Sequence, residues 1–161
     1  MGDFEFLVNY VRHKMPVKIP KVYVAKNNHM YVTELVSGYS IYDFDPKTVL
    51  KNEKKILKGV TKIISDLQSI DIKKMSNPER FCVALDAPSK NTPVEAITND
   101  SVLLHGDMNV RNFIFDQDLN ICGLIDFDGM RITNDKNADM KNFMKYWNRY
   151  KENSKKQTLS K

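Results

Sequence analysis

The sequence predicts one α+β domain, and three observations carry the prediction. Its 161 residues suffice for a single hydrophobic core. Apolar residues recur at three- and four-residue steps across Lys47 to Ile70. Short β-rich runs lie on either side of that stretch, each bounded by turn residues.

In chain order, Asp3 to Lys14 places Phe4, Leu7, Val8 and Val11 on one helical face, with Asp3 as N-cap, and the helix ends before Pro16. Two β-rich runs follow, Lys21–Ala25 and Met30–Leu35, separated by the polar turn at Lys26–Asn28, so a hairpin is expected. Gly38 closes the second run. Asp45 caps the next helix, with Pro46 at its first position.

Lys47 to Ile70 reads as the core helix, with Leu50, Ile56, Leu57, Val60, Ile63, Ile64, Leu67 and Ile70 on its buried side. From Ser76 to Asp100 polar and proline-bearing clusters predict irregular chain, with a short helix around Pro93–Ile97. Asn134 and Asp135 are positioned to cap a last helix whose apolar face is Met140, Phe143, Met144, Trp147 and Tyr150. Beyond Lys151 the composition is that of a frayed basic tail.

No apolar run approaches the roughly 18 residues of a membrane span, and acids stand where a signal peptide would be basic. Cys82 and Cys122 lack metal-ligand spacing and read as reduced, buried thiols, so a cytoplasmic protein is expected. The net charge of +5 is uneven: residues 141–161 carry seven Lys/Arg against Glu152, whereas residues 100–139 hold eight aspartates against Arg111, Arg131 and Lys136. The acidic centre suits a divalent cation and a cationic small molecule; the basic tail reads as a solvated helix end, and nucleic acid is not an expected partner.

The chemistry concentrates between Leu103 and Asp128. Two apolar runs, Val102–Leu104 and Cys122–Ile125, each deliver an aspartate to a strand end: Asp107 in His105-Gly106-Asp107, and Asp126 in Ile125-Asp126-Phe127-Asp128. Asn112 follows Asp107 by five residues. Phosphoryl transfer needs one carboxylate at the acceptor hydroxyl, with an amide oxygen and a second carboxylate holding Mg²⁺ against the nucleotide phosphates. Asp128 reads equally as a second metal ligand or as the Asp of an Asp-Gly turn.

The stretch HGDMNVRNFIFD followed by GLIDFD, preceded by PVKIPKVY, YVTELVSG and a long helix ending DLQSI, resembles the aminoglycoside phosphotransferase and choline kinase family over roughly Phe4 to Trp147. The resemblance implies a protein-kinase-like fold, mostly the helical C-terminal lobe with a remnant of the N-terminal-lobe sheet. It implies Asp107 as catalytic aspartate, Asn112 and Asp126 as magnesium ligands, and Glu34, Leu35 and Val36 as the hinge whose backbone meets the base of ATP or GTP. His105 would be structural, and Gln68 stands where a histidine is common.

Members of the family also carry a glycine-rich phosphate loop and a phosphate-binding lysine before the first helix of this sequence, and further helices after its last. Relative to the family the chain is therefore expected to be truncated at both ends, with Glu5 the candidate partner of the missing lysine. The expected organisation is one domain over residues 1–151, with an N-lobe remnant and hinge at 1–36, a C-lobe core at 37–151, and a tail at 152–161. The hairpin edge is expected either to lie under the N-terminal helix or to pair with a second chain or copy. The function expected is transfer of a γ-phosphate to a hydroxyl of a small, cationic acceptor such as an aminoglycoside; the alternative is a kinase-like binding module without turnover.

Overall fold

The computed structural model describes residues 2–24, 31–82 and 96–159. Helix α1 (Gly2–Arg12) is followed by strands β1 (Val22–Val24) and β2 (Tyr31–Thr33), helices α2 (Pro46–Lys51) and α3 (Glu53–Gln68), strands β3 (Val102–Leu104), β4 (Phe113–Phe115), β5 (Ile121–Leu124) and β6 (Arg131–Thr133), and helix α4 (Ala138–Leu159). The strands form three antiparallel pairs, β1–β2, β3–β6 and β4–β5. The last two are nested: β4–β5 lies in sequence between the strands of β3–β6.

The α+β expectation holds. Leu7, Val8 and Val11 of α1 are buried as the periodicity required, and so are Ile56, Val60, Ile63, Ile64 and Leu67 of α3. These close on Leu103, Phe113, Phe115 and Leu124 from the strands and on Phe143 and Trp147 of α4, making one core. The hairpin pairs Val22 with Thr33 and Val24 with Tyr31; its turn lies outside the described residues. Helix α1 packs against β1, and neither hairpin strand has a second ladder neighbour among the described residues.

Several boundaries differ from expectation. Asp3 lies inside α1, which begins at Gly2. The core helix is two helices, broken at Asn52 (φ −96°, ψ 11°), whose side-chain amide donates to the Thr48 carbonyl at 2.9 Å beside its own backbone N–H at 3.2 Å. Asp45 does cap α2, accepting the Thr48 N–H at 2.9 Å with Pro46 at the first position. Ile72–Lys74 forms a 3₁₀ turn that buries Ile72, and Pro78–Phe81 forms another that buries Phe81, within the stretch expected to be irregular. Most of the helix expected at Pro93–Ile97 lies outside the described residues, and Ala96 and Ile97 are not helical.

Helix α4 starts at Ala138, because Asn134 is occupied elsewhere: its side-chain oxygen accepts from Thr98 Oγ1 and Ser101 Oγ, and its amide nitrogen donates to the Ala96 carbonyl. It then continues to Leu159, through most of the expected frayed tail at 152–161. What extends it is packing: Ser154 is buried, and Glu53 of α3 accepts from the Trp147 indole at 2.8 Å and from the Lys151 ammonium at 2.9 Å. No described helix is long and apolar enough to cross a membrane.

The Lys151 ammonium, with the Trp147 indole, holds the Glu53 carboxyl below its ordinary range. A folded-state pKa depressed in this way contributes stability that is present above the unfolded value of about 4.3 and is lost as pH falls through the folded value. The melting-temperature advantage of the parent over Glu53→Gln is therefore expected at pH 6 and should shrink as pH is lowered from about 4 toward 3. A gap that stays constant across that range would show that the charge contributes nothing.

Candidate active site

Strand β3 ends at Leu104 and hands the chain to His105, Gly106 and Asp107. Gly106 adopts φ +86°, and a Cβ there would fall 1.7 Å from the Gly129 carbonyl oxygen, so only glycine lets the two loops touch. Asp139 of α4, 1% exposed, accepts the backbone N–H of His105 at 2.9 Å and of Gly106 at 3.0 Å, one on each carboxylate oxygen. The loop is thereby fixed to the first turn of α4.

His105 is fully buried, and burial pushes its pKa down, which keeps the ring neutral. Its Nε2–H meets the Ile125 carbonyl at 3.0 Å, and the ring packs on Phe127 at 4.5 Å between centroids. The histidine ties the loop carrying Asp107 to the segment carrying Asp126.

Asp107 is half-buried. The Asn112 side-chain amide donates to its carbonyl at 2.8 Å and to its carboxylate at 3.3 Å, and Asn142 of α4 donates to the other carboxylate oxygen at 3.5 Å. Asn109 caps the 3₁₀ turn Val110–Asn112 by accepting the Arg111 N–H, which turns buried Asn112 back toward Asp107. The Asn112 carbonyl accepts the Ile125 N–H at 2.9 Å, which sets Asp126 beside it. Asp126 is exposed and left-handed, with φ +64°, a conformation few residues other than glycine adopt and one that aspartate tolerates.

The three residues singled out by spacing are thus brought together. The donor set fits a hard divalent cation: the Asn112 nitrogen is committed to Asp107, which leaves its oxygen as a neutral ligand next to an anionic one from Asp126. No group of three or more His, Cys, Asp and Glu side chains suited to a metal occurs among the described residues. A cation that keeps most of its waters and takes one or two protein ligands does not need one.

Glu34, Leu35 and Val36 line a cavity of about 560 Å³ together with Val8, Val22, Ile125, Asp126 and Phe127. Glu34 to Val36 and Asp126 therefore share one space. The Glu34 carboxylate accepts the Lys21 N–H at 3.3 Å and lies 3.5 Å from Arg12 and 3.7 Å from Lys18; the backbone hydrogen bond, aided by the two cations, lowers its pKa. Glu5 is not part of this cavity and lines a separate one with Phe6, Asn9 and Tyr10. Gln68 donates to the Lys136 carbonyl at 2.7 Å. No lysine or arginine lines the cavity of Glu34 to Val36 among the described residues.

Residues 77–134 match the phosphotransferase enzyme family, a span that holds Asp107, Asn112 and Asp126. The structure superposes on an aminoglycoside-3'-phosphotransferase of type VIII with a TM-score of 0.61 at 18% identity, over 90% of this chain and 63% of that one. This is the fold of the aminoglycoside phosphotransferases. The GDP complex of aminoglycoside 2'-phosphotransferase-IIIa gives 0.58 at 14% identity, covering 88% of this chain and 60% of that one. A macrolide 2'-phosphotransferase from Brachybacterium faecium gives 0.52 at 12%, covering 84% and 55%. The chain spans 55–63% of the length of these three phosphotransferases. No curated protein sequence matches it.

Asp139 and Asn142 were not singled out by sequence. A signal for Asp139 exists: with Phe143 and Trp147 it forms an i, i+4, i+8 series, an acid on the apolar stripe of its own helix. A buried acid in that position must have donors to meet. Asn142, one turn away on a half-buried face, carries no such mark.

Proposed function

We propose that this chain is a nucleotide-dependent phosphotransferase domain acting on a hydroxyl of a small acceptor, and that the acceptor is cationic, as an aminoglycoside is. The observation that carries the reading is the adjacency of Asp107, Asn112 and Asp126, made by the Asn112 amide on Asp107 and the Asn112 carbonyl on Ile125. Asp107 orients the acceptor hydroxyl and accepts its proton, while Asn142 and Asn112 hold the carboxylate in place. Asn112 and Asp126 would hold Mg²⁺, which neutralises charge developing on the phosphates. Glu34 to Val36 offer backbone groups to the base of ATP or GTP in the 560 Å³ cavity. Both nucleotides are admissible, since solved relatives include a GDP complex and a ternary complex with ATP and streptomycin.

A second reading, a binding module without turnover, is favoured by one observation: the described cavity lining has no cation to meet a triphosphate. A described lining without such a cation lacks stabilisation on the order of several kcal/mol of barrier. Transfer by the 161-residue chain is therefore expected well below the roughly 1 per second of an ordinary kinase. A steady-state assay with Mg²⁺, ATP or GTP and an aminoglycoside panel measures it. Ordinary turnover overturns the slow expectation; Mg²⁺-dependent nucleotide binding with no transfer selects the second reading; no such binding removes both.

A further inference from the structure

Arg111 sits in the loop between Asp107 and Asn112, and it turns the other way: Asn112 is buried, Arg111 exposed. Its guanidinium lies over the Tyr42 ring, 5.5 Å from the centroid. Tyr42 in turn stands edge-on to Tyr150 of α4, with centroids 5.5 Å apart, and is 52% exposed. The guanidinium has no carboxylate or hydrogen-bond partner among the described residues, so its N–H donors are unspent.

Helix α4 fixes where this pair stands relative to Asp107. Asn142 touches the Asp107 carboxylate, half-buried Tyr146 is one turn further on, and Tyr150, two turns on, touches Tyr42. From Asn142 to Tyr150 the helix rises about 12 Å. One face of α4 thus has the candidate catalytic carboxylate beside Asn142 and, two turns on, Arg111 laid on the Tyr42 that meets Tyr150. At the Arg111 end the nearby acids are engaged, Asp43 on the Ser40 N–H at 2.7 Å and Asp45 on the Thr48 N–H at 2.9 Å.

A guanidinium held flat on an aromatic ring loses little freedom on binding and presents its edge to an oxyanion in the planar, two-pronged way that lysine cannot. We propose that Arg111, laid on Tyr42, binds a carboxylate or phosphate carried by the acceptor. The acceptor is then amphoteric: a hydroxyl at Asp107, an amine favoured by the acidic centre, and an oxyanion at the Arg111 end of this α4 face. That the anion belongs to the acceptor rests on the phosphotransfer reading; that Arg111 binds an anion does not.

The test titrates inorganic phosphate, and separately acetate, into the ¹⁵N-labelled full chain at low ionic strength and follows the arginine Nε–Hε resonances. A saturable shift of the Arg111 signal is expected with an affinity that falls about tenfold in Arg111→Gln and severalfold in Tyr42→Ala. Arg111→Lys should recover only part of the loss. Tighter binding of phosphate than of acetate, beyond the ratio of their charges, assigns the subsite to a phosphorylated acceptor; parity assigns it to a carboxylate. An Arg111 signal that does not move, or phosphate affinity unchanged in Arg111→Gln, overturns the proposal. Failure of the transfer assay leaves this titration standing, so the two readings fail separately.

Discussion

Asp107→Asn is expected to lower phosphoryl transfer by about two to four orders of magnitude while leaving Mg²⁺-dependent nucleotide affinity nearly unchanged. The amide keeps the shape and the contacts with Asn112 and Asn142 but accepts no proton from the acceptor hydroxyl. Asp126→Asn should fail in the opposite order, because it removes the anionic ligand and an amide oxygen does not restore the charge. Nucleotide titrations with and without Mg²⁺ separate the two. If Asp126→Asn binds as the parent does under both conditions, the metal assignment is wrong. A large loss of melting temperature in either variant would make that aspartate a turn residue with no part in the chemistry.

Asp139→Ala is expected to destabilise the fold by about 3 kcal/mol, because it strands the N–H groups of His105 and Gly106 in a site where the carboxylate is 1% exposed. For a chain of this size that is a fall in melting temperature of roughly 10 °C. Asp139→Asn, which still offers one acceptor, should recover part of it. Thermal unfolding of the two variants decides the matter: a change of less than about 2 °C in the alanine variant would show that water reaches those donors. Any transfer activity should fall further in Asp139→Ala than stability alone explains, since the same bonds position Asp107.

What the sequence disclosed and what it withheld follow from how each residue is constrained. The adjacency of Asp107, Asn112 and Asp126 was legible because it follows from spacing within one local stretch, set by short strands and a single 3₁₀ turn. The buried faces of α1 and α3 were legible because burial imposes a period on the chain. The break at Asn52 was not, since apolar periodicity continues through it and the change is confined to the backbone angles of one residue. The partnership of Asp139 with the His105–Gly106 backbone joins residues 33 and 34 positions apart, and no local pattern encodes such a contact. The hinge segment was placed by resemblance, and its sharing of a cavity with Asp126 is a property of the folded chain.

The nested order of the strand pairs has a consequence for how such sites are recognised. Asp107 lies on the way into the inner β4–β5 hairpin and Asp126 on the way out, and the Asn112–Ile125 hydrogen bond clamps the two passages at the hairpin's base. The turn at Asp116–Asn120 is the far tip, and its length does not set the separation of the acids in space. A chain could lengthen or shorten that tip without moving either carboxylate, whereas one residue gained between Asp107 and Asn112 would displace the first by about the rise of an extended residue, 3.3 Å. The interval from His105 to Asn112 therefore sets where the first acid stands, and the length of chain between the two acids does not.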